Sequence, residues 1–189
     1  VAGLNAVTVP RTGEPIRLDG DLIGRREASL IETRGRLTHH GEEINLECRG
    51  VLHRRDEDTD LTGRLTRDLT VILADGGLIC LTAAAPGSAV NHGDEEAVAA
   101  ITHPGGYVAF GDVLLSTEYD SAGRQRRATI EMWPATDEIA ALHGAGSVVS
   151  GCTARIEGAT VNTALFRWSL DGHLGLGRYE TTRPAGPPA

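Results

Sequence analysis

Apolar and polar residues alternate with a period of two through most of this chain. That period constrains the fold more than any other feature. Every second side chain on one face suits a half-buried strand, whereas a helix needs its apolar residues three and four apart. In the run 43–53, Ile44, Leu46, Cys48 and Leu52 fall on one face, and Glu43, Asn45, Glu47 and Arg49 on the other. Residues 28–37 read as the hairpin partner, with His39 and His40 near the turn and Gly50 a bulge or a close approach. Further pairs are 69–74 with 78–84 across Asp75-Gly76-Gly77, 113–119 with 126–133, and 147–157 with 160–170; Asp171-Gly172 then leads into 174–181. About ten strands with frequent turn signals predict an all-β antiparallel barrel or sandwich.

Helical signal is confined to two short stretches. Asp94–Ile101 opens on three acids before an alanine-rich run, and Thr136–Leu142 carries Thr136 or Asp137 as its cap. The expected organisation is one domain over 1–183, followed by a disordered tail over 184–189 rich in proline. All seven aromatic residues lie between Tyr107 and Tyr179. The second half therefore supplies either the bulky part of the core or one wall of an apolar ligand cavity.

Charge and composition exclude several classes. The net charge of −8 argues against a general nucleic-acid binder. No apolar run reaches the roughly 18 residues of a membrane span. All 18 basic residues are arginine, so lysine Schiff-base chemistry and lysine-bound pyridoxal phosphate are absent. Cys48, Cys80 and Cys152 are odd in number and form no Cys-x-x-Cys, which predicts no disulfide framework and a reducing, cytoplasmic setting. Cys48 and Cys80 read as small core residues. Val1–Pro10 lacks the pattern of a secretion signal. Neither a dinucleotide fingerprint nor metal-ligand spacing is present, so no cofactor and no metal are expected.

Two stretches carry a resemblance. One runs from Asp75-Gly76-Gly77 through His92-Gly93-Asp94-Glu95-Glu96 and Leu115–Asp120 to Ile130-Glu131-Met132-Trp133. The other is Phe166-Arg167-Trp168-Ser169-Leu170-Asp171-Gly172-His173, followed by Gly175-Leu176-Gly177-Arg178-Tyr179-Glu180. Both resemble the lipocalin-like family that includes carotenoid hydratases of the hydroxyneurosporene synthase type. Related members are cyclases of polyketide pathways, some catalysing Diels–Alder reactions. The resemblance implies a lipocalin-like β-barrel and a bulky hydrophobic small molecule as ligand. Family members are typically longer and carry two barrel halves, so a homodimer of this chain would recover that size.

The candidate chemistry depends on which strand faces point inward. His92 beside Asp94, Glu95 and Glu96 is a general base, or the acids merely cap a helix. Glu131 shares a face with Arg127, Thr129 and Trp133, opposite Ala128, Ile130 and Met132. Turned inward, Glu131 becomes a buried acid able to protonate an alkene or carbonyl; turned outward, it is surface decoration. Arg167 inside the barrel would clamp paired oxygens. Trp133, Trp168, Phe166, Tyr119 and Tyr179 would line the ligand, with Glu180 either beside it or paired with Arg167. These readings favour a cofactor-independent cyclase; an alkene hydratase or isomerase and a non-catalytic carrier are the alternatives.

Overall fold

A computed structural model describes residues 3–10, 15–55, 63–86, 94–103, 106–135, 140–156 and 158–184. Eight strands close into an antiparallel barrel in the order β10-β11-β12-β5-β6-β7-β8-β9. They are β5 (Arg64–Leu73), β6 (Leu78–Pro86), β7 (Glu96–His103), β8 (Gly106–Tyr119), β9 (Gln125–Pro134), β10 (Leu142–Ile156), β11 (Ala159–Leu170) and β12 (His173–Pro184). Four earlier strands form a separate antiparallel sheet: β1 (Gly3–Pro10), β2 (Ile16–Leu18), β3 (Arg26–His39) and β4 (Glu42–Arg55). The described residues thus hold twelve strands against the ten expected.

The expected hairpins form where the turn residues stand. His40 and Gly41 both take positive φ, 50° and 84°, which closes β3–β4 with a two-residue turn. Asp171 and Gly172 do the same for β11–β12, at 44° and 87°. Gly50 keeps an unbroken register opposite Ile31, so it is a close approach and not a bulge.

The barrel interior is packed by inward residues of every strand. Leu69, Val71, Ile79, Leu81, Leu115, Ile130, Met132, Phe166, Trp168 and Tyr179 are all buried together. Phe166 stacks on Trp168 and meets Tyr179 edge-on, with centroids 5.6 and 5.5 Å apart. Small residues make room for these rings. A Cβ on Gly146 would lie 2.6 Å from the Trp168 indole, and one on Gly177 would collide with the Thr70 backbone carbonyl.

The small sheet lies against the outer wall of the barrel over β5–β7. Ile16, Leu18 and Ala28 pack there on Leu78, Cys80 and Ala100. This second layer explains why β6 is buried over eight successive residues. With the core on one side and the sheet on the other, both faces are apolar and alternation vanishes.

Two expectations are corrected. Residues 94–101 do not form a helix: β7 begins at Glu96 and pairs with β6 and β8. Ala97, Ala99 and Ile101 face the interior, where small side chains fit, and tertiary packing overrides alanine's helical preference. Of the other helical stretch, residues 136–139 lie outside the described residues and Leu142 already opens β10. The apolar face of β4 is not half-buried: Ile44 and Leu52 are 49% and 41% exposed, and Cys48 is exposed rather than in the core. The opposite face of β4 turns toward the barrel at its C-terminal end. The proline-rich tail beyond Pro184 lies outside the described residues.

Candidate functional site

The strand faces decide where the candidate residues go. On β9, Ala128, Ile130 and Met132 point inward, so Glu131 and Trp133 stand on the outer surface. Glu131 is half exposed, with His143 Nδ1 4.0 Å from its carboxylate, and Trp133 is exposed. On β11, Phe166 and Trp168 point inward and Arg167 outward, exposed. Phe166, Trp168 and Tyr179 therefore fill the core. Glu180 lies on the outer face, accepts a 2.8 Å hydrogen bond from Thr163 Oγ1 and pairs with Arg178, not Arg167. His92 falls outside the described residues.

The acids after His92 hold structure together. Glu96 accepts the backbone N–H groups of Asp21 and Leu22 at 3.0 and 2.5 Å, tying the loop before β3 to β7. Glu95 forms a bidentate pair with Arg67, which points into one end of the barrel. Arg67 also donates to the Leu115 carbonyl at 2.8 Å, and Thr117 Oγ1 lies 2.6 Å from the Tyr179 hydroxyl. Burial alone would lower the Arg67 pKa, but Glu95 and the nearby tyrosines more than offset it, so the guanidinium stays charged. Burial, reinforced by Tyr119, pushes the Tyr179 hydroxyl upward. Tyr119 is half-buried, with the Arg183 guanidinium stacked 4.6 Å from its ring centre. This end of the barrel is a closed network of satisfied polar groups.

Two clefts lie between the small sheet and the barrel wall. A narrow cavity of about 50 Å³ sits between the small sheet and the barrel wall. Its floor holds the buried Arg26–Asp68 ion pair, and Asp68 also accepts from Thr82 Oγ1 at 2.9 Å. A groove of about 370 Å³ runs alongside, between β4 and the outer faces of β5, β11 and β12. Its apolar wall is Val51, Ile72, Leu165 and Leu176; its polar lining is Arg49, His53, Thr70 and Arg178. His53, Thr70 and Arg178 line both spaces. A third cleft of about 470 Å³ lies at Val148–Cys152, where β10 bulges in its pairing with β11 and has run past the end of its ladder with β9.

His53 is the chemically distinctive group, and alternation alone placed it on the polar face of β4 without marking it. Its Nε2 lies 3.1 Å from Thr70 Oγ1 on the barrel wall. Desolvation is the main cause that lowers its pKa; Arg178 and Arg26 act the same way, against Asp68 and Glu180. The ring is therefore neutral near pH 7 and can accept a proton. The residue as a whole is nonetheless exposed to solvent. Among the described residues no three His, Cys, Asp or Glu side chains converge as metal ligands, and no helix is long and apolar enough to cross a membrane.

No family model matches the sequence, and no curated protein matches it. Solved structures do. Kievitone hydratase from Nectria haematococca superposes with a TM-score of 0.59 at 11% identity, over 86% of this chain and 54% of that one. An AttH-type protein from Nitrosomonas europaea superposes with a TM-score of 0.63 at 13% identity, over 94% and 60%. This chain spans less than two thirds of either neighbour. What it shares with them is the fold, an all-β, lipocalin-like barrel.

Proposed function

We propose that this protein is a cofactor-independent enzyme that holds a largely apolar small molecule in the groove between β4 and the barrel wall and hydrates a polarised double bond there. The observation that carries this reading is the neutral His53, fixed on Thr70 where cavity and groove meet. With Nε2 engaged by Thr70, Nδ1 is the nitrogen left to exchange a proton. In hydration, His53 takes a proton from water as its oxygen bonds to one alkene carbon. The adjacent carbon, carrying the displaced electron pair, then takes a proton, and no redox change occurs. Arg178 would stabilise charge that develops on a conjugated oxygen. The shared fold with a hydratase supports this reading.

Cyclisation, which the sequence resemblance implies, would use the same groove, since its catalysis comes chiefly from holding reacting atoms together. Incubation with apolar enones in 18O-labelled water separates the readings. Hydration gives a product heavier by one labelled water, and its rate falls about 100-fold or more in His53→Gln. A product of unchanged mass selects cyclisation or isomerisation. Tight binding without any product selects a carrier.

A further inference from the structure

We infer that the ligand of this groove is an anionic amphiphile, with a carboxylate or enolate head between Arg49 and Arg178 and an apolar body along Val51, Ile72, Leu165 and Leu176. The inference rests on the reading of the groove given above and adds the charge of its occupant. The chain carries a net charge of −8, yet among the described residues the ionisable side chains lining the groove are Arg49, His53 and Arg178, with no carboxylate. A cationic lining on an acidic protein selects for negative charge.

The two arginines approach from opposite walls. Arg49 comes from β4, where Glu32 stands opposite it in register on β3. Arg178 comes from β12, where Glu180 holds it from one side at 3.4 Å and its side chain remains 43% exposed. Neither is buried, so neither demands a partner for folding. Beside them Leu165 and Leu176 are 42% and 53% exposed. Large apolar side chains next to exposed guanidinium groups suit a ligand that is greasy along most of its length and charged at one end. A groove of about 370 Å³ takes a small molecule, not a peptide helix or a nucleic acid.

Three probes of equal length test this: decanoate, decan-1-ol and decylammonium, titrated calorimetrically into the full chain at neutral pH. Decanoate should bind about tenfold or more tightly than decan-1-ol, and decylammonium most weakly. Added salt should shrink the decanoate advantage. The double variant Arg49→Met/Arg178→Met should bring decanoate to within about twofold of decan-1-ol, whose own affinity stays unchanged. Leu176→Asp should weaken decanoate and decan-1-ol. Equal binding of decanoate and decan-1-ol, or a preference that survives the double variant, overturns the charge inference but leaves the groove as a binding site. If no probe binds, or Leu176→Asp changes nothing, the groove reading itself falls, and this inference with it.

Discussion

His53 combines three influences on one ring: partial burial, two guanidinium groups and a hydroxyl partner. Burial and the cations Arg178 and Arg26 outweigh the carboxylates of Asp68 and Glu180, so the folded protein holds the proton less tightly than the unfolded chain does. The ordinary histidine value is about 6.5. Above it, both states are neutral at this position and the full stability is present. As pH falls below it, the unfolded chain takes up a proton that the native state resists, so stability is lost until the folded pKa is passed. Melting temperatures between pH 7.5 and 5 should therefore drop less in His53→Gln than in the wild type; identical slopes would show that His53 does not titrate in this way. Arg67 shows the opposite regime, since its ion pair with Glu95 is almost wholly buried, with side chains 4% and 10% exposed. Glu95→Gln leaves a buried guanidinium without its counter-charge and should destabilise the protein by about 3–5 kcal/mol in urea unfolding. Arg67→Met/Glu95→Leu removes both charges and should recover most of that loss. If the double variant were no better than the single one, the pair would be specifying the barrel mouth and not merely neutralising itself.

At the scale of strands, packing is set by what stands opposite, as β10 and β11 show. Gly146 pairs with Trp168, and the indole occupies the space a side chain at Gly146 would need. Gly146→Ala should therefore cost about 1–3 kcal/mol by overpacking. Trp168→Phe should relieve much of that cost in the double variant, because it frees volume and removes an indole N–H that finds no acceptor among the described residues. A double-mutant cycle of denaturant unfolding checks it: additive losses would mean the two positions do not compete for space. The same strands show what the sequence made legible. Turn pairs such as His40-Gly41 and Asp171-Gly172, bounded by alternating runs, located the hairpins, because positive φ and a period of two are local properties. Which face is buried is not local. Ile44, Leu46, Cys48 and Leu52 are the apolar face of β4, yet the structure turns Val51 and His53 toward the barrel, because the partner layer lies on that side. Ala97–Ile101 looked helical for the same reason: only β6 and β8, distant in sequence, make it a strand. The site was hidden likewise, since Thr70 and Arg178, which define the role of His53, come from β5 and β12.

At the scale of the whole molecule, the described residues form a closed ring of eight strands with a four-stranded sheet laid against one side. The ring has its own interior cluster and its own ladder of pairings, and neither uses a residue of β1–β4. Among the described residues the sheet side and the barrel share the second cluster, the Arg26–Asp68 and Glu96 contacts, the His53–Thr70 hydrogen bond, and the hydrogen bonds that Arg64 and Tyr107 donate to the Leu22 and Arg17 carbonyls. A fragment beginning at residue 63 should therefore still close its barrel, with near-ultraviolet circular dichroism reporting a fixed Trp168. It should be less stable than the full chain, because Leu78, Cys80 and Ala100 lose their cover and Asp68 loses Arg26. Cysteine reactivity reads the same event independently. In the full chain Cys48 and Cys152 are exposed, while Cys80 is buried and burial pushes its thiol up to about 12. A thiol reagent should thus label Cys48 and Cys152 quickly and Cys80 slowly. In the fragment both remaining thiols, Cys80 and Cys152, should react quickly while Trp168 keeps its signal. Loss of the Trp168 signal together with fast labelling would mean that sheet and barrel fold as one unit. In that case the groove between them is not an accessory laid on a finished barrel, and the residues that line it from β4 are also residues on which the barrel depends.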